Sequence, residues 1–465
     1  MTTTRIHHLW FEALGDHDSI ELKHSVLAES NDDFVDALKV NSTLKSLRVI
    51  EEGYKRRDGS VASAIADVLR VNSALASLDL GSIGINLVGT EAIANALKIN
   101  ASLSSLNLSH NYLWQEGAKA IADSLKVNRT LKILDLAGNS IEEEGAMAIA
   151  DALKINSSLI SLNLRMNSIQ EGGAMAIAGG LKVNSSLISL NLLDNSIKEG
   201  GGIAIADALK VNSTLTSLNL ERCFIKMNGA RAIADALKMN SSLASLDLQR
   251  NKFKTAGAVA LADSLKVNFT LTSLGLEENY INTAGAVAIA DALKVNKTLT
   301  SLNLKKNSIL HKGAWAIAEA MKFNASLLSL NLHRNSIEDE GARVIAEALK
   351  VNSTLTSLNL RSNWICHVGA MVIADALQNN TTLISLDLSE NNIPQEGASS
   401  IAKALTYNPT LIHLEVNFKH NHCLYDKFKT TFHHLQGILN ILIGKDGAKV
   451  LGMAFQIKSR SIVLF

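Results

Sequence analysis

Residues Gly145 to Asn167 read GAMAIADALKINSSLISLNLRMN, and this stretch decides the fold. In its first half Ala146, Ile149, Ala150 and Leu153 fall at helical spacing and make one apolar face. Glu142, Glu143 and Glu144 suit the positive end of a helix dipole, and Lys154 suits the negative end. Asn156 follows, a residue that tolerates the left-handed conformation in which helices end. In the second half, Leu159 to Leu164 reads as a short strand with Leu159, Leu162 and Leu164 turned inward.

The same unit recurs along the chain. The leucine that opens L-x-x-L-x-L stands at Leu75, Leu103, Leu131, Leu159, Leu187, Leu215, Leu243, Leu271, Leu299, Leu327, Leu355, Leu383 and Leu411, each 28 residues after the last. A further copy opens at Leu44, 31 residues earlier. A fixed period of this kind means stacked supersecondary units. The expected fold is an α/β leucine-rich solenoid of about 14 repeats. Each strand is joined to the next by a helical crossover, so the strands should run parallel. Strands pack about 4.8 Å apart and helices about 8–10 Å apart, which predicts a curved horseshoe with strands on the concave face.

Three segments are expected: a cap or leader over 1–29, the solenoid over 30–416, and a degenerate cap or tail over 417–465. SNDDFVDALKVN reads as the first helix, KFKTTFHHLQGILN as a capping helix, and SIVLF as a final edge strand.

Composition narrows the function. The chain has 465 residues, a net charge of +1 and 4% aromatic residues, so no overall field favours nucleic acid. Cys223, Cys366 and Cys423 have no metal-ligand spacing and fit a reducing compartment. The N-terminus lacks a signal-peptide core and no run of 18 uncharged apolar residues occurs, which predicts a cytoplasmic protein without a membrane span. The Asn-x-Ser/Thr sequons fall at one repeat position and read as turn chemistry. No nucleophile elbow, HExxH helix or phosphate loop is present, so neither cofactor nor catalytic residue is expected.

Asn111, Asn139, Asn167, Asn195, Asn251, Asn279, Asn307, Asn335, Asn363 and Asn391 share one register, and a column of carboxamides can satisfy buried turn groups. Cys223 takes that place in one copy, and Ile83 predicts an altered turn in another. Asn or Asp recurs on the strand face at Asp135, Asn163, Asn191, Asn219, Asp247, Asn303, Asn331, Asn359 and Asp387, with Ser two residues earlier, and reads as a solvated face.

The L-x-x-L-x-L-x-x-N pattern followed by EGAxAIADALKVN resembles leucine-rich repeats of the ribonuclease-inhibitor-like class. It is most similar to the repeats of NOD-like receptors of the NLRC3 type, and secondly to those of Ran GTPase-activating proteins. The resemblance covers roughly residues 30 to 416. It implies a non-catalytic interaction scaffold in signalling or innate-immune regulation, with a Ran-type GTPase activator as the alternative. The chain lacks the nucleotide-binding motif of NOD-like receptors and the acidic tail of Ran activators.

A partner would be read by the positions that vary. Arg222, Arg250, Lys306 and Arg334 share one register beside the Asn column, and Arg361 flanks it, which suggests a basic stripe, broken by Glu277 and Glu278, for an acidic protein or a small GTPase. Tyr112, Phe224, Tyr280 and Trp364 replace a recurrent Ser just after the column and are candidate aromatic anchors.

Overall fold

A computed structural model describes residues 18–23, 32–51, 59–416 and 461–463. The chain divides into two compact units, Met1–Ile225 and Lys226–Phe465.

The first unit runs β1 (Ser19–Lys23), α1 (Asp32–Val40), β2 (Ser46–Ile50), α2 (Ser60–Val71), β3 (Ser77–Asp79), α3 (Leu87–Leu97), β4 (Ser105–Asn107), α4 (Trp114–Leu125), β5 (Ile133–Asp135), α5 (Glu142–Leu153), β6 (Ser161–Asn163), α6 (Gln170–Leu181), β7 (Ser189–Asn191), α7 (Lys198–Leu209) and β8 (Ser217–Asn219). The second runs α8 (Lys226–Leu237), β9 (Ser245–Asp247), α9 (Lys254–Leu265), β10 (Ser273–Gly275), α10 (Asn282–Val295), β11 (Ser301–Asn303), α11 (Leu310–Met321), β12 (Ser329–Asn331), α12 (Glu338–Leu349), β13 (Ser357–Asn359), α13 (His367–Asn379), β14 (Ser385–Asp387), α14 (Gln395–Leu405), β15 (His413–Glu415) and β16 (Ser461–Val463).

Within each unit the strands pair parallel with their neighbours in chain order, and in pairs such as β6–β7, β11–β12 and β12–β13 Ser lies over Ser, Leu over Leu and Asn over Asn. A register slip would turn the central Leu to solvent, so the leucine spacing locks the pairing. Each three-residue strand from β3 to β15 buries its central Leu. The helices bury the EGAxAIADAL face: on α5 these are Gly145, Ala146, Ile149, Ala150, Ala152 and Leu153. Gly145 permits the close approach of helices, because a Cβ there would come within 2.8 Å of Ala118 and 2.7 Å of Ile141. Small residues on this face therefore set the helix spacing that the sequence anticipates.

Two details differ from the sequence reading, the extra strand β1 and the backbone of the helix-ending Asn. Strand β1 lies inside the expected cap and pairs with β2 from Ser19 against Ser46, adding a strand without a leucine motif. The expected edge strand appears as β16, parallel to β15. The capping helix proposed for KFKTTFHHLQGILN lies outside the described residues. The Asn that ends each helix is not left-handed either: Asn72, Asn296 and Asn380 have φ of −72°, −68° and −77° with extended ψ.

Those residues work through their side chains. Asn324 Nδ2 donates to the carbonyls of Leu293 and Asn296 in the preceding repeat, at 2.8 and 3.1 Å. Its Oδ1 accepts from the backbone N–H of Leu327 and Ser326, at 2.8 and 3.1 Å. Helix end, following turn and next repeat are tied by one carboxamide, which uses both its donors and its acceptor.

Candidate functional site

The turn from strand to helix gathers most of the chain's variation, and its geometry starts from the second asparagine column. Asn307 is fully buried. Its Nδ2 donates to the carbonyls of Leu276, Leu304 and Lys305, at 2.8, 3.0 and 3.1 Å. Its Oδ1 accepts from Asn279 and Ile281 N–H groups at 2.9 and 3.3 Å, and its own N–H passes to Asn335 Oδ1 at 2.9 Å. The column is thus a continuous relay within each unit, because a buried turn must find partners for its backbone groups. Cys223 imitates it in part. Its thiol donates to Leu192 O at 3.2 Å, the carbonyl that an Asn would reach from that position. Burial pushes that thiol up to about 12, so it is protonated and inert at neutral pH. The altered turn near Ile83 is also present: Gly84 has φ of 80°, and Asn86 caps α3 by accepting from Gly89 N–H at 3.1 Å.

The Asn/Asp row on the strand face is structural and not a bare solvated surface. Each carboxyl or carboxamide oxygen accepts from the N–H two residues on, as Asn303 does from Lys305 at 3.1 Å and Asn359 from Arg361 at 2.9 Å. This is an Asx turn, and it fixes the backbone where the strand ends. Gly275 breaks the row. A Cβ there would stand 2.7 Å from Asp247 Oδ1, and Asn303 Nδ2 reaches across the gap to Gln249 Oε1 at 3.2 Å, two repeats away. Burial, with Glu277 nearby, holds the Asp247 carboxyl above the usual range.

Past the Asx turn the ladder continues: Lys306 N–H donates to His333 O at 2.8 Å and Arg334 N–H to Arg361 O at 3.0 Å. Residues just before the column adopt positive φ, 56° at Arg222 and Arg250, 53° at Lys306 and 54° at Arg334. The position after it does so too, at Phe224, Tyr280 and Trp364. β-Branched side chains clash there, so their absence from these variable sites is a backbone constraint and not a partner's choice.

The structure sets acidic side chains among the cations of the basic stripe. In the first unit Arg222 faces Asp194 at 3.7 Å. In the second, Arg250 contacts Glu277 and Glu278 at 3.5 and 3.3 Å, and Lys305 contacts Glu277 at 3.1 Å. Lys306 meets Glu278 at 3.3 Å. Arg334 and Arg361 converge on Glu390, Arg334 at 3.6 Å. Carboxylates from adjacent repeats interleave with the cations, so the rim is a charge ladder. Such half-exposed pairs contribute little stability but fix the orientation of long side chains. His333, held between Lys305 and Arg361, is kept neutral by burial and these cations, with its pKa lowered to about 4.

The aromatic candidates stand apart. Tyr112 stacks on Trp114 with ring centroids 6.4 Å apart, a local packing contact. Phe224 and Tyr280 are exposed. Trp364, 63% exposed, opens on a shallow cavity of about 400 Å³ with Arg334, Ser336, Ser362, Glu390 and Asn392. It is the place where the charged register and an aromatic candidate meet in one concavity. Trp315 on α11 is also exposed, away from this rim.

Among the described residues no cluster of three His, Cys, Asp or Glu side chains could hold a metal, and no helix is long and apolar enough to cross a membrane.

Parallel strands with helical crossovers in an unclosed array, stitched by asparagine columns, define a repeat solenoid. The sequence model of the Leucine Rich repeat matches 100–122, 127–150, 156–178, 211–234, 240–262 and 267–290, and that of the TMOD/LMOD Leucine-rich domain matches 303–427. The chain is a leucine-rich repeat protein. No curated protein is matched by the sequence. Among the solved chains that are similar is Leiomodin-1 Actin-Binding Site 2, at 30% identity over 30% of this chain and 80% of that one, with a TM-score of 0.27.

Proposed function

We propose that this chain is a non-catalytic protein-interaction scaffold and that the strand-to-helix rim of its second unit receives the partner. The observation that carries this reading is the Trp364 cavity. An indole stands exposed where Ser140, Ser168, Ser196, Ser308 and Ser336 stand in other copies, beside two arginines that share one glutamate. Large aromatics next to oriented arginines make the strongest contacts in protein interfaces. The neighbouring candidates Arg250, Tyr280 and Lys306 form the flank of the same rim. Because Arg334 and Arg361 are already paired, a partner here replaces Glu390 or extends the ladder, and a simply acidic surface is not required.

The sequence likeness suggests a signalling scaffold of the NLRC3 type, or a GTPase activator. The family matches add no weight to either specificity. The TMOD/LMOD match over 303–427 includes the Trp364 cavity and brings actin into consideration, since the leiomodin-1 chain is titled an actin-binding site. The test is affinity measurement of the full chain against monomeric actin, filamentous actin, a panel of small GTPases and candidate signalling adaptors. Binding that Trp364→Ser weakens at least tenfold supports the rim. Binding indifferent to Trp364→Ser and Arg334→Glu removes it from the interface.

A further inference from the structure

The opposite edge of the array, where each helix turns back into a strand, carries a feature that the rim does not explain. The residue just before the first asparagine column is apolar in almost every copy. In the first unit it is Val40, Val71, Ile99, Val127, Ile155, Val183 and Val211; in the second it is Met239, Val267, Val295, Phe323, Val351 and Tyr407, with Asn379 the exception. All thirteen are more than half exposed, up to 69% at Met239 and 66% at Phe323 and Tyr407. Scattered exposed valines need no explanation. Recurrence at one register does, because it makes a continuous apolar line. The neighbouring Asn and Leu are buried, so these side chains do not serve the core of their own repeat.

The charge beside the line is balanced. In the second unit the lysines before Met239, Val267, Val295, Phe323 and Val351 each pair with an acid one helical turn back: Lys238 with Asp235, Lys266 with Asp263 and Lys294 with Asp291, all at 2.8 Å, Lys322 with Glu319, and Lys350 with Glu347 at 2.9 Å. A row of neutralised pairs offers little to an anionic membrane or a polyanion, which needs unpaired positive charge.

The geometry points to a second copy of this chain as the occupant. An apolar line with one residue per repeat is matched in pitch by another line of the same repeat. Two copies related by a twofold axis bring identical patches together, as isologous dimers do. Their paired Lys and Asp rows then face each other without a net charge conflict. Six side chains with on the order of 100 Å² open apiece present roughly 600 Å² on the second unit, near the ~800 Å² per partner of a stable interface. The line in the first unit adds a similar area.

Sedimentation velocity on the full chain from about 1 to 100 µM tests this. The expected result is a concentration-dependent dimer. The triple variant Met239→Ser, Val295→Ser, Phe323→Ser should weaken it at least ~100-fold with an unchanged thermal midpoint. A second triple variant, Val127→Ser, Ile155→Ser, Val183→Ser, should also weaken it and guards against a folding artefact in the first. A monomer at all concentrations, or a dimer that both variants leave intact, overturns the proposal. So does a monomer that floats with phosphatidylserine vesicles and loses this in the variants, because the line would then belong to a membrane surface. Because the line lies across the repeat from Trp364, neither outcome depends on the fate of the rim reading.

Discussion

The buried column of Asn307 and the rim positions beside it are neighbours in the sequence, yet they obey opposite rules. Asn307 uses every donor and acceptor it has, and its type hardly changes between repeats. Arg334 and Trp364 flank the column members Asn335 and Asn363 one and two repeats on, exposed, and their positions change from copy to copy. The turn backbone needs partners wherever water is excluded, so constancy there is set by hydrogen bonding. Variation survives only where the side chain leaves the turn for solvent. At this turn constancy therefore marks folding, and departures at exposed positions mark recognition.

The largest effect that would sharpen this contrast is the loss of one column member. Asn307→Ala should cost at least about 3 kcal/mol in chemical denaturation, since it strands several buried N–H and C=O groups. A cost under 1 kcal/mol would break the distinction between column and rim. Trp364→Ser should leave stability within about 0.5 kcal/mol while lowering partner affinity at least tenfold. Cys223 makes an intermediate case, a column position without a carboxamide. Its thiol should resist a soluble disulfide reagent at pH 8 in the native state and react on unfolding. Its pKa is raised in the fold from an ordinary value of 9.0 to about 12, so the thiol keeps its proton there while the unfolded chain loses it. The related stability is complete below pH 9 and is lost as pH rises toward 12, which urea midpoints of the wild type and Cys223→Ala would show.

Smaller effects concern the ladder. His333 should remain neutral by NMR at pH 5.5. Its pKa is depressed in the fold, so the unfolded chain takes the proton first and stability falls as pH drops from about 6.5 to 4. His333→Gln should flatten that slope. Glu390→Gln should change stability by at most about 1 kcal/mol, because its arginine contacts are half exposed.

Much of this was legible in the sequence. The leucine spacing predicts the parallel strands and the helices between them, because both periods are written in the same apolar residues. The Asn307 column is legible for the same reason. The helix-ending Asn324 column is visible as recurrence, but its chemistry is not, since the contacts at 2.8 and 3.1 Å lead to the preceding repeat. The Asx role of Asn303 and Asn359 was hidden because a polar residue on a strand face looks the same whether it caps a turn or meets water. The charge ladder was legible only in part: Glu277 and Glu278 are visible in the sequence as a break in the basic register. Arg250 and Glu278 are 28 residues apart, and only stacking shows that they touch. Strand β1 carries no leucine motif to announce it, and its pairing with β2 is settled by the fold alone.

The claim that exposed departures mark recognition is tested most directly on a single pair of proteins. The affinity of wild type and Trp364→Ser for the partner found by capture should be measured alongside the thermal midpoint of each. This account predicts at least a tenfold loss of affinity with midpoints that coincide. Equal affinities, or a loss that merely follows a lowered midpoint, would contradict it.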